Sequence, residues 1–511
     1  MELIEFSATT YFLIVATLVA LIMILVDSAR TRNKKSSKDR LMYDSEVPTL
    51  PEAPGPKPWP IVGSLHLLGK YEVPYMAFAE LAKTYASQVV KLRMGSVPCV
   101  VVNGLENIKE VLITKGHQFD SRPNFTRYHR LFCGDKENSL AFCNWSELQK
   151  SRRETLRAHT FPRAFTAKYN QLNGVIVGEI ERLLGHIDAR VGMSVKAKPL
   201  IFHACANIFT NYFCSRRWDI GNEEFADMVK NFDKVFYEVN QGYAADFMPF
   251  LMPFHQKNMT RMANWSHEIR EFVNRNVIGD RYDSWTGVVP EVDYVDCLIN
   301  HVRTGAQPAM SWETGLFALE DIIGGHAAVG NLLVKILGFL ATRPEVQKNA
   351  RLEIDLVQTE GRPVGLEHRG SMPYVEAIIL EAIRIIASPI VPHVANQDSS
   401  IAGYRVDKDT FIFLNNYELN MSEDLWVSPK EFVPERFVRN GRISKPDHFL
   451  PFGGGRRSCM GYKMVQYLSF STLASILKSF TVTPVENETY DVPIGNLALP
   501  GDSFGFKFER R

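Results

Sequence analysis

Nineteen consecutive uncharged residues, Ala8 to Val26 ("ATTYFLIVATLVALIMILV"), stand near the start of this 511-residue chain. At a helical rise of about 1.5 Å per residue, such a run nearly crosses a hydrocarbon layer of about 30 Å. Arg30, Arg32, Lys34, Lys35, Lys38 and Arg40 follow it, whereas the short leader carries only Glu2 and Glu5. Positive charge stays on the cytoplasmic side of a membrane, so the remainder of the chain is expected in the cytoplasm. A cleaved signal peptide is the rival reading, but the apolar run is too long and no small-x-small cleavage site precedes the basic block. No later stretch matches it, so the body reads as soluble. With that topology the Asn-x-Ser/Thr triplets at Asn124, Asn144, Asn258, Asn264, Asn420 and Asn487 are chance matches.

The basic block runs into "VPTLPEAPGPKPWPIVGS", whose prolines at 48, 51, 54, 56, 58 and 60 forbid helix. The expected organisation is a transmembrane anchor over 1–27, a basic and proline-rich hinge over 28–60, and one catalytic body over 61–511. The body has no repeat or further linker. Long helical patterns dominate it, with β-rich pieces near 88–102, near 400–414 and at the C-terminus. A formal net charge of +1 gives no reason to expect nucleic acid as a partner. Seven scattered cysteines make no disulfide framework and suit a reducing compartment.

The longest helix signal runs from Trp312 to about Thr342, with Ser311 as N-cap and Arg343-Pro344 as its stop. Gly324 and Gly325 interrupt it, each costing about 1 kcal/mol relative to alanine. Either a neighbouring helix packs closely there, or a flat group lies against the helix. In the next strong pattern, "MPYVEAIILEAIRII", Glu381 and Arg384 share one face at i and i+3 within apolar surroundings. A buried pair of this kind needs its remaining hydrogen bonds satisfied, and Arg436 in "VPERF" is the candidate third partner.

One cysteine, Cys459, stands in "PFGGGRRSCMGYKM", among glycines and at the mouth of a helix. Glycines let the backbone aim N–H groups at a thiolate, and a helix start adds its positive dipole end. A single cysteine cannot make a zinc or iron–sulfur site, but it can be the one axial ligand of a haem. Arg457 then has a haem propionate as its natural partner.

Phe452, Gly455, Arg457, Cys459 and Gly461 resemble the cysteine-ligand signature F-x-x-G-x-R-x-C-x-G of the cytochrome P-450 family. Glu381 and Arg384 resemble its E-x-x-R motif, and Arg436 its third triad member. The resemblance covers the chain from about residue 45 onward. It implies a mostly α cytochrome P-450 fold with a small β lobe: one large domain behind the anchor, with haem b between the 312–342 helix and the helix after Cys459. It also implies that Trp145 and His393 contact the propionates. The arginine that relatives place four residues after the tryptophan is here Gln149, leaving Lys150 or Arg153 as substitutes.

The long helix departs from the pattern. Relatives carry A/G-G-x-D/E-T, whose acid and alcohol help deliver protons during oxygen chemistry. The aligned residues here are Gly324, Gly325, His326, Ala327 and Ala328, so Gly325 and Ala328 take the catalytic positions without a proton-handling side chain. Protons must then come from water, backbone or a substrate hydroxyl. An isomerase of an oxygenated lipid, which needs no relay, is the alternative, and a non-catalytic haem sensor is a third class.

"GGHAAVGN", "SPIVPHVANQD", "NNYELNMS" and "RRSCMGYKMVQYLSF" look like the Spook/Spookier group of insect members. That likeness implies early oxidation of the sterol 7-dehydrocholesterol in ecdysteroid synthesis, on the endoplasmic reticulum membrane. Segments 121–135, 243–254, 388–394 and 496–506 are the expected pocket walls, apolar enough for a sterol, a fatty acid or a xenobiotic. No nicotinamide or flavin fingerprint follows a strand. Electrons therefore come from another protein, by resemblance NADPH–cytochrome P-450 reductase, with Arg456 and Lys463 as candidate docking charges.

Overall fold

The computed structural model describes residues 50–511 except 72, 289, 359, 360 and 502. The apolar run, the basic block and the anchor expected there lie outside the described residues. The two larger sheets are built from β1 (Val89–Met94), β2 (Val97–Val102), β3 (Ser194–Lys196), β4 (His393–Val394), β5 (Phe411–Leu414), β6 (Phe480–Pro484) and β7 (Gly505–Arg510). The α-helices longer than ten residues are α1 (Pro74–Thr84), α2 (Glu147–Thr160), α3 (Ala167–Asp188), α4 (Ala197–Cys214), α5 (Glu223–Val239), α6 (Gln256–Phe272), α7 (Trp312–Ala341), α8 (Pro344–Val357), α9 (Pro373–Ile386) and α10 (Tyr462–Ser479). Helix predominates, as expected from the sequence.

The backbone gathers into two compact units. The smaller joins the described residues up to Phe119 with Tyr243–Phe254 and Pro392–Leu414; the larger holds Asp120–Gly242, His255–Val391 and Asn415–Arg511. Each unit is stitched from separated stretches, so no linker marks the division and the sequence read as one body.

In the smaller unit, β1 and β2 form an antiparallel hairpin, β2 runs parallel to β5, and β4 pairs antiparallel with β5. Val90, Leu92, Cys99, Val101 and Phe413 bury one face against Phe78 of α1. The proline-rich segment is not a free spacer here. Lys91 N–H donates to the Pro54 carbonyl at 2.8 Å, Arg405 N–H donates to that of Pro51 at 2.9 Å, and Ala53 is buried. Proline removes a donor but keeps its carbonyl, so the segment can still accept bonds from the sheet.

The larger unit is organised around α7. The Ser311 hydroxyl accepts from Thr314 N–H at 3.1 Å to cap it, and Pro344 opens α8 just beyond its end. By length and hydropathy α7 qualifies as a membrane span, against the expectation that no later stretch would, but 83% of its most apolar window is buried within the protein. It packs most extensively on α4, and also on α5, α9 and α10. Phenylalanine rings lie against the paired glycines. A Cβ on Gly324 would fall 2.8 Å from the Phe232 ring of α5, and one on Gly325 3.2 Å from the Phe209 ring of α4. Helix packing therefore accounts for both glycines, and Gly325, expected as a catalytic position, is a packing residue.

Two polar side chains inside α7 hold a neighbouring segment. Lys335 Nζ donates to the carbonyls of Pro493 at 2.7 Å and Asn496 at 2.5 Å. Asn331 accepts from Leu499 N–H at 3.1 Å and donates to Asp233 of α5 at 3.2 Å. Burial pushes the Lys335 ammonium down to about 7. These bonds hold residues 493–499, part of an expected pocket wall, beside α7.

The Glu381–Arg384 pair lies on α9 with both side chains 0% exposed. The contact is bidentate, Arg384 Nε to Glu381 Oε2 and Nη2 to Oε1, each at 2.7 Å. Arg436 Nε lies 3.3 Å from Glu381 Oε1, and Val433 N–H donates to the same oxygen at 2.9 Å. Arg384 also donates to the carbonyls of Asn420 at 2.7 Å and Glu431 at 3.2 Å. Every oxygen and nitrogen of the pair thus has a partner, the condition under which a buried ion pair is tolerated.

Candidate functional site

The turn before α10 is made by glycines in the left-handed region, Gly453 at φ +67° and Gly455 at φ +61°, where an L side chain would be strained. It closes through Cys459 N–H donating to the Phe452 carbonyl at 2.9 Å, and Gly461 then caps α10. This puts Cys459 at the positive end of a helix 18 residues long. Burial raises the Cys459 thiol, while the Gly461 N–H and the Arg153 charge pull it down. Yet Cys459 is exposed. The sulfur is thus partly desolvated by its surroundings and still accessible to a small molecule.

Positive charge collects beside it. Arg457 is buried, donates from Nη2 to the Cys143 carbonyl, and keeps an Nε with no partner. Arg153 of α2 donates to the Ser458 carbonyl at 2.5 Å, and burial, then Arg457, pushes it down to about 10. Arg122 donates to the carbonyls of Ala141 at 3.2 Å and Val391 at 2.9 Å. Burial and then Arg457 push it well below the usual arginine value. Arginines held this close out of water call for an anion among them.

Of the two residues expected to substitute at Gln149, Arg153 lies beside the Cys459 turn. Gln149 is buried and donates to the Leu140 carbonyl at 2.7 Å, and Lys150 pairs outward with Glu147 at 3.6 Å. Trp145 does not touch the cluster directly; the Arg456 guanidinium stacks over its ring at 4.9 Å. Arg456 is also held by Asp120 at 3.1 Å, with its side chain 39% exposed. Lys463 lies over the rings of Tyr462 and Tyr467, and burial, then Arg369 and Lys445, lowers its ammonium. His393 belongs to β4 of the smaller unit, buried, with Nδ1 donating to the Phe119 carbonyl at 2.6 Å.

From Gly315 to Ala341, every residue of α7 is buried except Asp321, Gly324, Gly325 and Ala328. Positions i, i+3, i+4 and i+7 form one helical stripe. Gly324 and Gly325 of this stripe face the Phe232 and Phe209 rings, so the partly open side chains on it are Asp321 and Ala328. His326 is off the stripe, wedged edge-on between Phe202 and Phe232, with Nδ1 donating to the Ile323 carbonyl at 2.7 Å and Nε2 unpartnered. Burial lowers its pKa to about 4, so it is neutral and is no acid for the reaction.

That histidine sets a pH limit. The unfolded chain protonates it near 6.5 and the folded chain only near 4, so its stabilising effect is full above pH 6.5 and is lost as pH falls toward 4. His326→Leu is expected to lose about 2 kcal/mol less than the wild type between pH 7 and pH 5 in urea denaturation. Identical pH dependence in the two proteins would refute the assignment.

Sequence reasoning missed Arg122 and Asp321. The second had a signal, since "LEDIIGG" puts two acids inside an apolar helix, where burial demands partners. The first had none, because nothing local sends an arginine of "DSRP" into a cluster with residue 457.

The donor set fits one kind of metal group. Among the described residues no cluster of three or more histidine, cysteine or acidic side chains could hold an ion. Cys459 alone can therefore bind only a metal that brings its other donors with it. Haem b does so, and its two propionates would supply an anion to the buried Arg457, whose Nε has no partner.

The comparisons agree with that chemistry. A sequence model of the cytochrome P450 family matches residues 53–508. Cytochrome P450 307a1 of Drosophila melanogaster is 38% identical over 89% of this chain and 88% of its own length. Cytochrome P450 1A2 of Oryctolagus cuniculus is 29% identical over 85% and 87%, and cytochrome P450 1A1 of Macaca fascicularis 27% over 93% of each. A match running the length of the described chain, joined to a relative this similar over nearly nine-tenths of both sequences, establishes that the protein belongs to the cytochrome P450 family of haem-thiolate monooxygenases, which take electrons from a redox partner.

Proposed function

We propose that this enzyme oxidises a sterol, 7-dehydrocholesterol or a derivative, in an early step of ecdysteroid synthesis. Its anchor (1–27) and hinge (28–60) hold the catalytic body (61–511) on the cytoplasmic face of the endoplasmic reticulum, where NADPH–cytochrome P450 reductase supplies electrons. One observation carries the chemistry: Cys459 on its glycine turn, exposed, and two residues from the buried Arg457, whose Nε has no partner. The substrate class rests on the Spook/Spookier likeness and on an insect relative at 38% identity.

The division of labour follows from the side chains. Haem b supplies the oxidation of an unactivated carbon–hydrogen bond with dioxygen and two electrons. Cys459 Sγ would be its ligand; burial raises the thiol, while the Gly461 N–H, the Arg153 charge and the α10 dipole favour the ionised form that the metal would hold. Phe452 and Gly455 shape the turn. Arg457 and Arg153 would bind the propionates. Trp145 positions Arg456 by stacking. Ala328 leaves room above the reacting centre and handles no proton, so water must carry protons inward.

Purified protein, reductase and NADPH incubated with isotope-labelled 7-dehydrocholesterol are expected to yield oxidised sterol detectable by mass spectrometry. NADPH-dependent products from fatty acids or xenobiotics, with none from the sterol, would overturn the substrate reading.

A further inference from the structure

Lysine is seldom buried without an acid beside it. Lys335 of α7 is 0% exposed, and among the described residues its ammonium is bonded not to a carboxylate but to the carbonyls of Pro493 and Asn496. The charges on the helices packed around it are satisfied elsewhere. Lys198 of α4 pairs with Asp233 of α5 at 2.6 Å, Glu381 of α9 pairs with Arg384, and the buried face of α10 carries none. Ala328, Asn331 and Lys335 stand at i, i+3 and i+7, along one stripe of the helix. Asn331 accepts from Leu499 N–H, and Lys198 donates to the Leu499 carbonyl at 3.0 Å. As the residues held rise from 493 to 499, their partners on α7 fall from 335 to 331, so this stretch runs back along the helix toward Ala328. It also returns. A Cβ on Gly338 would fall 3.1 Å from Val492 and 3.5 Å from Phe504, and the rings of Tyr490 and Phe504 stack at 5.7 Å. Residues 492–504 thus form a loop lying on α7, with Leu497, Ala498 and Leu499 at the end nearest Ala328, about 4.5 Å of helical rise from Asn331.

We propose that Lys335 is a positioning residue: by holding the carbonyls of Pro493 and Asn496 it sets how far the end of this loop stands toward Ala328, and so how long an apolar chain is accepted there. This rests on the reading of Ala328 as the position above the reacting centre. Lys335 touches no ligand itself; it acts through Leu497, Ala498 and Leu499, which offer an apolar wall without charge. Asn331 and Lys198 still hold residue 499 when Lys335 is gone, so its loss frees residues 493–496 and the wall yields while the fold stays. Burial holds the ammonium near a pKa of about 7. Below that pH both bonds are charge-assisted; above it the neutral amine still donates, but with about half the strength. The loop is therefore held tightly on the acid side and loosely on the alkaline side.

The test uses the holoenzyme and equilibrium binding of 1-alkyl-1,2,4-triazoles, from ethyl to tetradecyl, read from the change in haem absorption. The triazole nitrogen binds the iron and does not titrate near neutral pH, so the chain length at which affinity stops rising reports the distance to the wall. In the wild type near pH 6, chains beyond that limit are expected to bind at least about tenfold more weakly than the best one, the cost of overfilling a packed site. Near pH 8 this penalty is expected to shrink at least about threefold, as the charge on Lys335 is lost. Lys335→Met is expected to accept the longer chains at both pH values, whereas Lys335→Arg, charged throughout, keeps the penalty at both. A side chain that merely filled space would give no such pH profile. A penalty that does not change with pH in the wild type, that changes equally in Lys335→Arg, or that is the same in Lys335→Met overturns the assignment, and the first two comparisons decide it even if the methionine variant does not fold. A wild type whose haem absorption responds to no triazole instead contradicts the reading of the site above Ala328, and this assignment falls with it.

Discussion

Cys459→Ser is expected to give a folded protein that has lost turnover by more than about 100-fold. The turn survives because its closing bond comes from the residue 459 backbone N–H to Phe452, and its shape comes from Gly453 and Gly455. Only the sulfur is removed. Even partners one step removed from a metal commonly cost 10- to 100-fold in affinity or activity when lost, so the ligand itself must cost more. Serine cannot replace it, because an alkoxide is far harder to form than a thiolate, and the Gly461 N–H and the helix dipole are too weak to make up the difference. Circular dichroism checks the fold, and haem absorption and product formation check the site. Full turnover in the variant would exclude Cys459 as ligand.

Arg384→Ala is expected to destabilise the larger unit by about 3–5 kcal/mol, the usual consequence of leaving one partner of a buried ion pair behind. The Glu381 carboxylate would keep only Val433 N–H and Arg436, the Asn420 carbonyl would lose its Arg384 donor, and the Glu431 carbonyl would keep only the longer bond from Arg436 at 3.4 Å. Replacing both partners together, as Glu381→Leu with Arg384→Met, is expected to cost much less, because no charge then remains stranded. Urea denaturation of the three proteins separates the cases. A single substitution costing under about 1 kcal/mol would show that the pair is not the buried, mutually dependent unit described.

What could be read from the sequence is what local chemistry determines. The Ser311 cap, the Pro344 stop and the valine runs of β1 and β2 needed no partner to be recognised. The need for a third member beside Glu381 and Arg384 followed from burial alone, and Arg436 supplies it. What could not be read depends on residues distant in sequence. The paired glycines left two explanations open until Phe232 and Phe209 were seen against them. Lys150 and Arg153 could not be told apart in the sequence, but α2 turns residue 153 toward Ser458 and residue 150 toward Glu147. The proline stretch reads as a spacer in isolation, but its carbonyls at 51 and 54 serve the sheet. Asp321 is held by Ser139 and Leu140, partners nearly two hundred residues away that no motif reveals.

The most direct test of the site is the carbon monoxide difference spectrum of the reduced protein, recorded for wild type and Cys459→Ser side by side. With the residue 459 sulfur as the ionised axial ligand, the wild type shows the red-shifted band for which the family is named and the serine variant does not. The same band in both proteins, or its absence from intact wild type loaded with haem, would contradict the account.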